Sequence, residues 1–339
     1  VLLIVLLLLS ACGGDTQDAP RLSAPPTRTP EPATEEVVAD EAGVENVQIV
    51  SLRSQIDAFL TAAEAVGPLE RVDVFSQTVI AAAPECWKST LWPNWQALEQ
   101  LNAMNVNLTE VDMAAWRATV DAFPEDDLMR QTVDILRQAR AELPLDQTLT
   151  VCLAPMPLPH FFGPNPEELP NSGLSLSSWG DMIYLGCQDS ARCGTQVEAD
   201  LAYAYATAYQ FVSAGRLGDD IPLLSWVVTF GRSAVFAHQL VPDATFQWDT
   251  DMTPEVEADV WARMQEYLNT TYNDYPGYRN VDYFLYGRDG RLDQYPRFGG
   301  FYIGERIVRA YQESHPNVSF ADLMALDAST LVADSGYTP

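Results

Sequence analysis

The chain has 339 residues, 47% of them hydrophobic and 10% aromatic, so it holds ample apolar material for a packed core and is not a disordered protein throughout. Its formal net charge is −28, from 47 acidic against 19 basic residues. Such a surface repels phosphate backbones, which argues against nucleic acid as a partner and against a polybasic attachment to anionic lipid.

Val1 to Leu9 is an unbroken apolar run, followed by Ser10-Ala11-Cys12 and then Gly13-Gly14-Asp15. Nine apolar residues are about half of the ~20 that a transmembrane helix needs. The apolar part of a secretory leader has this length. Neither Met nor a basic stretch precedes Val1, so the true start is expected to lie upstream. Leu8-Leu9-Ser10-Ala11-Cys12 resembles a bacterial lipobox, which implies cleavage before Cys12 and alkylation of its thiol by diacylglycerol. Residues 1–12 are therefore expected to be a lipoprotein signal peptide and lipobox. Lipid on Cys12 would then hold the protein at the cell membrane, on the extracytoplasmic face.

Residues 13–46 carry Pro20, Pro25, Pro26, Pro30 and Pro32 among Thr, Ala and acidic residues, with almost no large apolar side chain. A segment of this kind cannot bury enough surface to offset its ordering entropy, and is expected to be a disordered, Pro-rich, acidic tether. Folded chain is expected over 47–339, as a helical part (47–143) followed by a mixed part (144–339). Helices are predicted at Ser54–Val66, Trp95–Met104, Glu110–Phe123 and Asp127–Leu143 from their apolar spacing. The period then changes to that of strands at Gln147–Leu153, Gly173–Ser178 and Met182–Gly186, the last two joined by Trp179-Gly180-Asp181. Two strongly apolar helices follow, Val197–Ser213 and Leu223–Leu240. Beyond them are helices from Pro254 to about Asn269 and at Gly299–Glu313, and a capped pair beginning at Ser319 and Asp327.

Apart from Cys12 there are four cysteines, Cys86, Cys152, Cys187 and Cys193, an even number in a chain expected to be exported. Cys187 and Cys193 flank a short polar loop and are expected to pair. Cys86 with Cys152 then follows by elimination, although four cysteines allow three connectivities. No C-x-x-C spacing supports a zinc cluster.

Helices, a small sheet, and an apolar helix soon after the last strand make an order that resembles the zincin-type metalloproteases. Near the C-terminus the likeness becomes more specific. Tyr283-Phe284-Leu285-Tyr286-Gly287 is followed by Pro296-Arg297-Phe298-Gly299-Gly300-Phe301-Tyr302-Ile303-Gly304-Glu305-Arg306-Ile307-Val308-Arg309-Ala310-Tyr311, and the chain closes on Asp334-Ser335-Gly336-Tyr337. These stretches resemble the ending of the bacterial family of predicted zinc-dependent proteases, domain of unknown function 2268. The resemblance implies an α+β fold: a mostly helical, zincin-like domain with a small antiparallel sheet. It also implies H-E-x-x-H on the first apolar helix, where residues four apart share a face and both reach one Zn²⁺, and an acidic ligand on the second.

Laid on this chain, the first motif falls at Tyr203-Ala204-Tyr205-Ala206-Thr207 and the second at Phe230-Gly231-Arg232-Ser233-Ala234. Tyr203 and Thr207 replace the two histidines, Ala204 the catalytic Glu, and Phe230 the acidic ligand. Neutral hydroxyls are poor zinc ligands, and no general base for water is left. No catalytic residue, metal or cofactor is therefore expected. Tyr203, Tyr205, Thr207 and Phe230 are expected to floor a groove that holds peptide by strand addition beside one of the strands at 174–178 or 182–186.

Other chemistry finds less support. Of three histidines, His160, His238 and His315, the first two with Glu198 or Asp200 make the one conceivable rebuilt metal site. Gly231-Arg232-Ser233 lacks the second glycine of a hydrolase elbow and sits inside a helix. Asp249, Asp251, Glu255, Glu257 and Asp259 read as a solvated helix start more than as a Ca²⁺ loop. The expected function is that of a membrane-anchored, non-catalytic binding or structural protein with a peptide or envelope-protein partner. The alternative is a metal-dependent peptidase with a relocated site.

Overall fold

The computed structural model describes residues 44–87, 107–156, 174–187, 193–194, 196–214, 220–246, 248, 252–274, 277–287 and 295–339. The leader with Cys12, the tether up to residue 43, the helix expected at Trp95–Met104, and His160 lie outside the described residues.

Among the described residues four strands form one sheet: Val47–Ser51 (β1), Leu149–Pro155 (β2), Leu174–Trp179 (β3) and Met182–Cys187 (β4), in the order β1-β2-β4-β3. β1 runs parallel to β2, with Ile49 opposite Val151, and β2 parallel to β4, with Leu153 opposite Leu185. Only β3 is antiparallel, pairing with β4 through Leu176 and Leu185. The expected antiparallel sheet is thus corrected to a mixed one in which three strands are parallel. The β3–β4 hairpin is written locally, in the Gly180-Asp181 turn, where Gly180 takes a φ of 67° that suits a residue without a Cβ. Parallel pairing of β1 with β2 and of β2 with β4 leaves no turn in the sequence, because a crossover joins such strands. β1 itself has no counterpart among the predicted elements, since five residues are too few to show a period. It belongs to the expected helical part and β2 to the mixed part, so the two parts share this sheet.

The sheet is covered on both faces, and its side chains divide between them with a period of two. Val47, Ile49, Val151, Leu153, Ile183 and Leu185 join a core with Glu125–Glu142 (α4) and Val197–Ala214 (α5). Cys152, Ala154 and Tyr184 face the other way, toward Arg53–Ala63 (α1), Arg71–Phe75 (α2) and Met113–Asp121 (α3). That second core is built on rings: Phe59 meets Phe75 edge-on at 5.1 Å, and Phe75 meets Trp87 at 5.6 Å. Trp116 donates its indole N–H to the Pro155 carbonyl at 2.7 Å. Cys86 is bonded to Cys152, fastening this layer to β2, and Cys187 is bonded to Cys193, at the junction of β4 and α5.

After α5 the chain is helical: Leu223–Leu240 (α6), Pro254–Met264 (α7), Gly277–Tyr286 (α8), Gly299–Ser314 (α9), Phe320–Ala325 (α10) and Ala328–Ser335 (α11). Helix α6 is mostly apolar because it is central, packed between α5 and α9, with every residue from Trp226 to Ala237 buried, Thr229, Arg232 and Ser233 among them. Side chains cap the later helices where the sequence places them. Thr253, Ser319 and Asp327 each accept from backbone N–H groups of the first turn, and Gly336 ends α11 in the left-handed region. Among the described residues no helix is long and apolar enough to cross a membrane.

Candidate functional site

The positions that matter for hydrolysis lie on facing stretches of α5 and α6, and all of them are packed. Thr207 Oγ1 lies 3.0 Å from the Tyr203 carbonyl and 2.8 Å from Ser233 Oγ, so its one proton is shared between two acceptors inside the helix pair. Ser233 donates to the Thr229 carbonyl at 3.0 Å, and Gln210 Nε2 reaches Ser233 Oγ at 3.1 Å. This small polar layer ties α5 to α6 and has no ionisable member. Ala204 is fully buried.

Phe230 stacks face to face on Phe301 of α9, with ring centres 4.4 Å apart and planes within 5°, and on its other side lies Trp226 at 5.7 Å. A carboxylate ligand at 230 would have pointed at a metal; the phenyl ring instead closes a contact between two helices. Tyr203 rests against Phe246 at 5.7 Å and Trp248 at 5.9 Å. Its hydroxyl is buried, with Thr207 beside it and no bond of good geometry made. Burial first, then Tyr286 and Glu305, push this phenol well above its ordinary range against a lowering by Thr207. The phenol therefore stays protonated at neutral pH. Tyr205 belongs elsewhere: it is fully buried by the end of α4 and donates to the Leu143 carbonyl at 2.6 Å. The structure thus brings Tyr203, Thr207 and Phe230 into one neighbourhood and leaves Tyr205 out of it.

Two buried carboxylates organise the surroundings: Glu305, which the sequence analysis did not single out, and Glu257, expected there at a solvated helix start and found buried instead. Glu305 on α9 accepts from the Trp248 indole at 2.9 Å and from Arg309 at 2.8 and 2.6 Å, and His238 Nε2 of α6 lies 3.3 Å away. Burial raises its pKa, but bonds from His238, Trp248 and Arg309 outweigh this and hold the carboxyl below the usual value. Glu257 on α7 receives Tyr337 at 2.8 Å, Arg306 at 3.1 Å and Tyr302 at 3.2 Å. It left the acidic run by turning inward. Glu255, by contrast, stays at the exposed helix start, its carboxyl lowered by its own backbone N–H and by Thr253. Glu305 had a signal in the sequence: it is a charge set in the stripe Phe301, Gly304 and Val308, whose members are all buried.

His238 is thus engaged with Glu305, while Glu198 is exposed, and His315 stacks on Tyr311 at 4.2 Å. Among the described residues no group of three His, Cys, Asp or Glu side chains is placed to hold a metal ion.

Residues 194–339 match the model of a lipoprotein family described as gliding motility protein GldB. The match covers less than half of the 339 residues, and it takes in α5 to α11 with every side chain of the site described above. It is a match to a lipoprotein family and not to the zinc-dependent proteases that the sequence resembles. No curated protein matches the chain, and no solved structure does.

Proposed function

We propose that this protein is a lipid-anchored component of a surface-motility apparatus, held on the extracytoplasmic face through Cys12, and that its helical part binds a peptide or protein partner without catalysing a reaction. The observation that carries the non-catalytic reading is the occupancy of the helix pair: Thr207 is spent on Tyr203 and Ser233, and Phe230 is stacked on Phe301. A mixed sheet whose antiparallel edge strand β3 leads through β4 into α5 supports a further reading, that the domain keeps a zincin-like frame around a filled centre. Similarity to the gliding motility family supports the cellular role, and the lipobox supports the anchor.

Deletion and complementation in the source bacterium test the role. Loss of the chain should abolish spreading on a surface, the unaltered chain should restore it, and Cys12→Ala should leave the protein unanchored and fail to restore it. Normal spreading after deletion would sink the proposal.

A further inference from the structure

The connection between α6 and α7 sends Phe246 and Trp248 back across helices that lie far from it in sequence. Trp248 is 7% exposed, and its indole ring is enclosed by Phe246 at 4.7 Å, Phe301 at 5.2 Å, Tyr203 at 5.9 Å and Phe298 at 6.2 Å. At the end of this enclosure stands Glu305, 5% exposed. Arg309 holds Oε1, with His238 Nε2 3.3 Å from it, whereas Oε2 takes the Trp248 N–H. One carboxylate oxygen is thus fixed by the Arg309 guanidinium, with His238 nearby, and the other is presented to a flat aromatic donor.

We propose that Glu305, Tyr203, Phe298 and Phe301 form an indole-accepting site that the chain occupies with its own Trp248, and that a partner enters it by presenting an aromatic side chain with an N–H donor. This rests on the partner-binding reading above. The walls come from α5, from α9 and from Phe298 at the start of α9, so they stay in place when the occupant leaves. The occupant is attached through a connection between helices and makes a single hydrogen bond to the site. A competing indole satisfies the same acceptor and the same ring faces, so exchange leaves no buried carboxylate oxygen unpaired. Trp248 is then an autoinhibitory contact, and Glu305 selects for the donor.

The full chain carrying Trp248→Ala, probed with indole and with N-methylindole, tests this without any knowledge of the partner. N-methylindole keeps the ring and lacks the N–H. Indole is expected to bind the variant and raise its Tm by several degrees at concentrations well above its Kd. N-methylindole should bind at least about tenfold more weakly, and adding Glu305→Gln should remove most of that preference. Equal binding of the two ligands, or binding of neither, overturns the proposal. In the unaltered chain, excess indole should speed hydrogen exchange at Val241–Phe246, and unchanged exchange there overturns displacement. Should Trp248→Ala not fold, Trp248→Phe keeps most of the ring and drops the donor. Its exchange over Val241–Phe246 should then rise about tenfold with α6 unaffected, and wild-type protection would contradict the assignment. A failure of the surface-spreading test leaves these readouts unchanged, so the two proposals fail separately.

Discussion

Gly231 of α6 lies directly on Gly304 of α9, backbone against backbone. A Cβ on Gly231 would stand 2.1 Å from the Gly304 carbonyl carbon, and one on Gly304 would stand 2.0 Å from the Val227 carbonyl oxygen. Neither clash involves a side chain that can turn away, so the helices would have to separate. They also carry the Phe230–Phe301 stack, which depends on that close approach.

Gly231→Ala or Gly304→Ala should therefore exceed the ~1–3 kcal/mol usual for an overpacked core. We expect either variant to lose cooperative thermal unfolding or to be recovered in low yield. An alanine variant with wild-type Tm would show that the two helices do not meet as described.

Glu305 makes stability depend on acid. Its folded pKa lies below the ordinary 4.5, so its contribution is complete above that value and is lost as pH falls through the lower, folded one. Denaturant unfolding followed from neutral pH to about pH 3 should show this limb, and Glu305→Gln should flatten it. Glu305→Ala at neutral pH removes the acceptor of half-exposed Arg309 and of buried Trp248, and should cost about 1–3 kcal/mol. An unaltered acid limb in Glu305→Gln would contradict the role given to this carboxylate.

Much of the helical part was legible because its signals are local. Leu223–Leu240 has the predicted bounds, and Ser319 and Asp327 cap as the residue types require. The sheet direction was not legible: β1 and β2 lie far apart in sequence, with α1 to α4 between them, and nothing near Val47 or Leu149 encodes which way they pair. At the candidate site the residue types at Tyr203, Ala204, Thr207 and Phe230 are plain in the sequence. What fills the space is not. Trp248 and Glu305 meet across 57 residues, and Glu257 and Tyr337 across 80.

Tyr337, near the end of the chain, donates to buried Glu257 and packs edge-on against Trp261 at 5.6 Å. Tyr337→Phe keeps the ring contact and removes one bond to a charged acceptor, which is worth about 1.5–3 kcal/mol. Deleting Tyr337 with the residues after it should cost more, since Trp261 is then uncovered as well. Chemical denaturation of the two variants separates ring from hydroxyl, and equal loss in both would show that the hydroxyl alone matters.

The Cys86–Cys152 bond closes a loop across 66 residues and joins the ring-lined core to β2. Cross-links of that span restrict the unfolded chain strongly, and removing this one through Cys86→Ala with Cys152→Ala should cost about 2–5 kcal/mol. Equal unfolding midpoints for the variant and the intact chain would contradict the expectation.

The proposed non-catalytic function is tested most directly by metal analysis of the purified full chain, alongside peptidase assay. We predict zinc far below one equivalent per chain and no peptide hydrolysis that a chelator abolishes. Stoichiometric zinc, removed together with a peptidase activity and restored with it, would contradict the account.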